Sequence, residues 1–263
     1  MSSTLPAPII MGILNVTPDS FSDGGQHHTL PLAQQHIRTL LAEGASIIDI
    51  GGESTRPSST PISPTEELSR ISAVIQWAKS QSLAVSVDTY HEETIRAVIP
   101  MNVDIINDVD SDSHLETLME AALLHDLSII IMHNSRKQSD FGKHHSATYE
   151  VMRYFETVGA CAEKIGLPTH RLILDVGIGF GKTFTQELEL VEHTQEITSA
   201  FPYDFLGAVS RKSFIQKKIA CNDRPAVIAE SARVAAYLYH HGCRYLRVHD
   251  VAQTLSAIHQ YHE

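Results

Sequence analysis

Short apolar, β-branched runs return along the whole chain, and most are continuous rather than alternating in polarity. They are "IIMGILNV" (9–16), "SIIDIGG" (46–52), "LAVSVDT" (83–89), "DIINDV" (104–109), "SIIIMH" (128–133), "LILDVG" (172–177), "DFLGAV" (204–209) and "YLRVHDV" (245–251). Continuous runs of this length read as strands buried on both faces, as in a parallel sheet covered by helices. Between them, apolar residues recur at helical spacing over 30–45, 65–81, 114–126, 147–166 and 223–242. Glu43-Gly44 and Ile165-Gly166 predict two helix stops, and Pro225 and Gly242 bracket the last helix. Eight strand–helix alternations favour a single (β/α)8 TIM barrel over a doubly wound sheet. No Pro/Ser linker divides the chain, so 1–263 reads as one domain, with "TRPSSTPISP" (55–64) as a long βα loop.

The polar residues fall where those strands end. The ends carry Asn15, then Asp49 and Glu53, Asp88, Asn107, His133, Asp175, Ser210-Arg211-Lys212, and Arg247 with His249. In a parallel barrel these ends meet on one face, the face that carries active sites in this fold. A single Asp or Asn there could simply cap the following helix. Eight ends of eight argue for a common site, and the strand starts show no comparable set.

Composition narrows the ligand. The chain has 263 residues, 43% hydrophobic and 19% charged, enough for one large core. Acidic residues outnumber basic ones 31 to 20, for a formal charge of −11. That argues against nucleic acid or an anionic membrane as partner. It leaves room for a small anionic substrate held by a local group of cations. Cys161, Cys221 and Cys243 are odd in number and widely spaced, which reads as thiols in a reducing compartment. With no basic leader and no long apolar span, a cytoplasmic protein is expected.

Two motifs nearly match nucleotide signatures. "VGIGFGKT" (176–183) has Val176 where a P-loop needs glycine, and Lys182 where a dinucleotide fingerprint needs one. What remains is a loop that lets backbone approach a ligand, with Phe180 between glycines and free to present its ring. "SRKSF" (210–214) and "RVHD" (247–250) supply cations after strands seven and eight. Lys212, Arg247 and His249, together with Arg56, suit a phosphate or pyrophosphate. Asp88, Asn107 and Asp175 suit a flat, nitrogen-rich ring. The pairs His27-His28, His144-His145 and His240-His241 lack a third ligand at zinc spacing. A Mg²⁺ that arrives with a pyrophosphate and touches one Asn or Asp fits better.

Seven stretches, "MGILNVTPDSFSDGG", "IIDIGGESTRP", "VSVDT", "IINDV", "LDVGIGFGK", "SRKSF" and "RVHDV", together resemble the dihydropteroate synthases of folate biosynthesis, from residue 11 to 251. The resemblance implies a homodimeric barrel that condenses 6-hydroxymethyl-7,8-dihydropterin pyrophosphate with 4-aminobenzoate, assisted by Mg²⁺. It implies pterin contacts from Asp88, Asn107, Asp175 and Lys212. A pyrophosphate group would comprise Asn15, Arg247 and His249, with Asn15 at the metal. It places 4-aminobenzoate against Thr55, Arg56, Phe180, Lys212 and Ser213, and gives Asp88, Lys212, Arg247 and His249 the catalytic roles. Residues 15–25 and 53–64 would be two loops closing over the site.

The chain departs from the family pattern at Ser58, Asn134, Val176 and Ala208. Asn134 stands where a methionine normally walls the pterin pocket, which predicts a more polar wall. Two other readings stay open on the sequence. One is the related pterin-binding barrel of cobalamin-linked methyltransferases, and the other is a weakly catalytic pterin-binding paralogue acting through a partner protein.

Overall fold

The computed structural model describes residues 5–17, 29–53, 60–136, 138 and 140–261. All eight predicted strands form: β1 (Ile9–Asn15), β2 (Ile47–Gly51), β3 (Val85–Asp88), β4 (Ile105–Asp108), β5 (Ser128–Met132), β6 (Leu172–Asp175), β7 (Asp204–Gly207) and β8 (Tyr245–Val248). They pair in parallel in sequence order and close into a barrel through β1 and β8. The five helices predicted from periodicity are α1 (Thr29–Ala42), α2 (Pro64–Ser80), α4 (Leu115–His125), α5 (Ala147–Ile165) and α9 (Arg224–His240). The others are α3 (Glu92–Val98), α6 (Phe184–Glu192), α7 (Thr194–Ala200), α8 (Ser213–Ile219) and α10 (Val251–His259). At two turns or so each, they are too short to show a clear helical period.

Successive strand residues point to opposite faces, so each strand feeds two cores. Ile10, Leu14, Ile48, Ile50, Val87, Ile106, Ile129, Ile131, Leu174 and Phe205 belong to the outer core beneath the helices. Met11, Ile47, Ile105, Ile130, Ile173 and Leu206 form the inner plug. Two residues further along a strand lies the next inward position. That step leads from Ile47 to Asp49, from Ile105 to Asn107, from Ile173 to Asp175 and from Tyr245 to Arg247. The barrel interior is therefore apolar below and charged above.

Register brings these polar positions level. Asn15 pairs with Gly51, Gly51 with Asp88, and Asp88 with Asn107. Met132 pairs with Asp175 on the far side. Beneath the rim, the Thr89 hydroxyl donates to Glu67 Oε2 of α2 at 2.7 Å, tying the end of β3 to its neighbouring helix. Among the described residues, no helix is long and apolar enough to cross a membrane.

Candidate active site

Arg247 rises from β8 into the barrel mouth and spans two carboxylates. Its Nε donates to Asp49 Oδ2 at 2.6 Å and its Nη2 to Asp88 Oδ2 at 2.5 Å. Asp49 is fully buried, and the Asn107 amide lies 3.5 Å from its other oxygen. Asp88 Oδ1 is also buried but has no hydrogen-bond partner. Such an acceptor costs on the order of 1–3 kcal/mol unless something donates to it, so it points to a ligand with N–H groups. Burial pushes the Asp88 carboxyl well above its ordinary value, against the pull of Arg247 and Lys212 and with the help of the neighbouring Asp49. For Arg247, burial favours loss of the proton, but Asp49 and Asp88 outweigh it and the guanidinium stays charged.

The sequence groups Arg247 with Lys212 as cations for one anion. In the structure both of the Arg247 bonds go instead to carboxylates, because Asp49 and Asp88 are the inward residues facing it. Lys212 stands beyond the neighbouring strand β7, as the N-cap residue of α8. Its Nζ donates to the Ile178 carbonyl at 2.6 Å and lies 5.0 Å from the centre of the Phe180 ring. Burial lowers its pKa to about 8, with Asp175 opposing and Arg247 adding to the fall. Burial also raises Asp175, against Lys212 and the Gly177 N–H, which donates to Asp175 Oδ1 at 2.8 Å.

The glycine loop after β6 is braced against the end of β5. His133 N–H donates to the Asp175 carbonyl, and Ser135 donates to the Phe180 carbonyl through both its N–H (3.2 Å) and its hydroxyl (2.9 Å). Lys182, buried, donates to the carbonyls of His133 at 2.9 Å and Gly177 at 3.0 Å. A Cβ on Gly177, whose φ is +72°, would stand 2.1 Å from the His133 carbonyl oxygen. Only glycine permits that approach. His133 itself is held neutral: burial, with Lys182 nearby, lowers its pKa to about 3.

Phe180 corrects one expectation. Its ring is not freely presented but buried against Val109 and Met132, with Tyr90 packed alongside. Arg136 and Lys212 stand over it at 4.5 and 5.0 Å, a geometry that favours cation–π attraction. Asn134 corrects another. Its amide donates to the Val109 carbonyl at 2.9 Å and accepts from the Arg136 N–H at 3.1 Å, so its polarity is spent on backbone rather than on the pocket wall.

His249 is held by Ser210, whose hydroxyl oxygen accepts from the His249 N–H at 3.1 Å and lies 3.0 Å from Nδ1. Asn15 is half-buried at the end of β1, and Ser213 is exposed as the first residue of α8. Thr55, Arg56, Ser58 and most of the two expected closing loops lie outside the described residues. At the root of the second loop, Glu53 accepts from Tyr90 Oη at 2.7 Å and lies 3.0 Å from His91 Nε2. Among the described residues, no three His, Cys, Asp or Glu side chains are grouped to hold a metal.

Sequence reasoning missed the roles of Asp49, Lys182 and Ser210. Asp49 is legible only as a polar strand end, and its partnership with Arg247 reaches across β1. Lys182 appears in the sequence only within a failed nucleotide motif. Ser210 appears only among the polar strand ends, with no sign that it faces His249.

Comparison with known proteins gives a consistent picture. The family described as pterin binding enzyme matches residues 11–249. Dihydropteroate synthase of Escherichia coli K12 is 38% identical over 264 residues, covering 98% of this chain and 92% of its own. The structure of Xanthomonas albilineans dihydropteroate synthase with 4-aminobenzoic acid superposes with a TM-score of 0.88 at 35% identity, covering 98% of this chain and 93% of its own. A structure of that enzyme with 7,8-dihydropteroate gives a TM-score of 0.84 at 33% identity, over the same shares of the two chains.

Proposed function

This chain belongs to the dihydropteroate synthases of the pterin-binding enzyme family, and from that premise we infer that it joins 6-hydroxymethyl-7,8-dihydropterin pyrophosphate to 4-aminobenzoate. The products are 7,8-dihydropteroate and pyrophosphate. The observation that carries the reading is Asp88 Oδ1, a buried acceptor without a partner at the mouth of the barrel. A pterin edge, rich in N–H donors, satisfies it. Asn107 on the neighbouring β4 and Asp175 on β6 complete a set of amide and carboxylate groups for the same ring.

The reaction breaks the bond between the pterin methylene carbon and the pyrophosphate oxygen. The electron-rich reduced ring stabilises the cation left behind, and Asp88 adds negative charge near it. The neutral arylamine nitrogen then attacks that carbon, forms the C–N bond and gives up a proton. No enzyme nucleophile is required. Lys212 faces the ring from the β7 side and, with Phe180, supports the face on which 4-aminobenzoate is bound. Ser213 lies next to Lys212 at the start of α8, and the family resemblance assigns Thr55 and Arg56 to the same substrate. His249, steadied by Ser210, meets the departing pyrophosphate, while Arg247 holds Asp49 and Asp88.

Mg²⁺ fits as an ion brought by the substrate. The described residues hold no carboxylate cage, and Asn15 at the end of β1 supplies one hard oxygen, which suits a cation that keeps its waters and its phosphate oxygens. When bound, the ion neutralises charge on the leaving group. A homodimer in the cytoplasm is part of the same reading and rests on the family resemblance.

The test is direct. Purified protein supplied with the pterin pyrophosphate, 4-aminobenzoate and Mg²⁺ forms dihydropteroate. Measurable pterin binding without product would overturn the synthase reading and favour a pterin-binding paralogue.

A further inference from the structure

Two buried charged groups near the site have no part in the chemistry above: Lys182 and Glu187. Both act on the glycine loop between β6 and α6, from different sides. Lys182 pulls on its start, through the Gly177 carbonyl, and on the end of β5, through the His133 carbonyl. Glu187, in the first turn of α6 and almost fully buried, accepts from the Gly179 N–H through Oε1 at 2.7 Å. Its Oε2 is buried with no hydrogen-bond partner.

The loop so held is the seat of Lys212. A Cβ on Gly179 would lie 3.2 Å from Lys212 Cδ, so the lysine stem runs directly over that backbone. The ammonium ends on the next carbonyl back, that of Ile178. Phe180, one residue further on, carries the ring beneath the same ammonium. The position of Lys212 is thus set by three consecutive residues whose own positions are set by Lys182 and Glu187.

We propose that Glu187 and Lys182 are positioning residues for the condensation, holding the 177–181 backbone on which Lys212 and Phe180 rest. The proposal deepens the synthase reading and rests on it for the role of Lys212. Glu187 also acts through its charge. The charged groups acting on Lys212 are Asp175 of β6, Arg247 of β8, Glu187 of α6 and Asp88 of β3, with Lys182 adjacent to the same carboxylate. Glu187 is one of three anions there that keep the ammonium protonated. Removing it lowers the Lys212 pKa further below about 8. Lys182 and Lys212 repel as like charges, but the anchoring by Lys182 does not depend on its charge, because a neutral amine still has two N–H groups for its two carbonyls.

The conservative variant separates the two roles of Glu187. In Glu187→Gln the amide oxygen still accepts from Gly179, while the charge is gone. Selective ¹³C labelling of lysine, with the Lys212 signal assigned by its loss in Lys212→Ala, reads the Lys212 titration without any turnover. We expect the midpoint to fall by roughly half a pH unit or more in Glu187→Gln. In an assay of condensation, the basic limb of the pH profile moves down by the same amount. Lys182→Met leaves the charge of Glu187 in place but frees the loop. It should raise KM for 4-aminobenzoate about tenfold, with the circular dichroism spectrum unchanged.

An unmoved Lys212 midpoint in Glu187→Gln would overturn the electrostatic half of the proposal, and an unchanged KM in folded Lys182→Met the positional half. If the wild-type protein forms no dihydropteroate but the Lys212 midpoint still shifts, the synthase reading fails while the coupling of Glu187 to Lys212 stands. In that case Lys182→Met is scored by the Phe180 ring resonances, which an intact anchor keeps sharp and its loss broadens. Unchanged resonances then overturn the positional half.

Discussion

Arg247 and Asp88 meet across the barrel mouth at 2.5 Å, and the bond uses only one oxygen of the carboxylate. The other, Oδ1, is left buried without a partner. The guanidinium opposes the effect of burial on that carboxyl and holds it in place, and the remaining lone pairs are kept for a ligand.

Asp88→Asn tests that arrangement. The amide keeps the shape but loses the charge that Arg247 pairs with and that a pterin cation needs. Arg247 retains Asp49, so the stability loss should be about 1–3 kcal/mol rather than that of a fully broken buried pair. Turnover should drop about a hundredfold or more. Thermal unfolding and steady-state kinetics on one preparation give both values. Near-normal turnover would remove Asp88 from the chemistry.

Lys212 predicts the basic limb of the pH profile. Its pKa is lowered to about 8 from an ordinary 10.5. The protonated form supplies the charge over Phe180, so activity is present below the folded pKa. It is lost as pH rises through about 8. Lys212→Ala should abolish turnover with the fold intact by circular dichroism. Normal turnover in that variant would mean that the site is assigned wrongly.

Metal removal should separate activity from stability. With no carboxylate cage among the described residues, chelation should silence the reaction but leave the unfolding temperature of the free protein unchanged. Asn15→Ala should raise the Mg²⁺ concentration needed for half-maximal rate. A large drop in thermal stability on adding EDTA would reveal a resident metal and overturn the substrate-borne ion.

Gly177→Ala places a methyl group against the His133 carbonyl and asks a non-glycine residue to adopt φ +72°. The β5 and β6 loops must part to accept it. Destabilisation of about 2–4 kcal/mol is expected, seen as a lower midpoint in urea, together with loss of turnover.

The barrel was legible because buried parallel strands are continuous apolar runs, and eight of them recur here. Each appears at its predicted place, from β1 (Ile9–Asn15) to β8 (Tyr245–Val248). The longer helices were legible for the same reason, since several turns display a period. The helices of seven to nine residues were not, because α3, α7 and α8 take their stability from the strands and neighbours they pack on rather than from their own pattern.

The face that carries the site was also written in the chain. A strand alternates its side chains, so Ile47 and Asp49, or Ile173 and Asp175, must point the same way, and a polar residue at the upper inward position has nowhere to go but the barrel mouth. What lay beyond the sequence was the pairing of those residues. Arg247 and Asp49 are 198 positions apart, and Lys182 and His133 are 49 apart. Barrel closure and register decide which charges meet, and that depends on distances no local pattern encodes. Sequence by itself determined the barrel and the ring of polar groups on its rim. Only the tertiary structure decided that Arg247 turns to two carboxylates, that Phe180 lies buried beneath Lys212, and that one oxygen of Asp88 is left for a ligand.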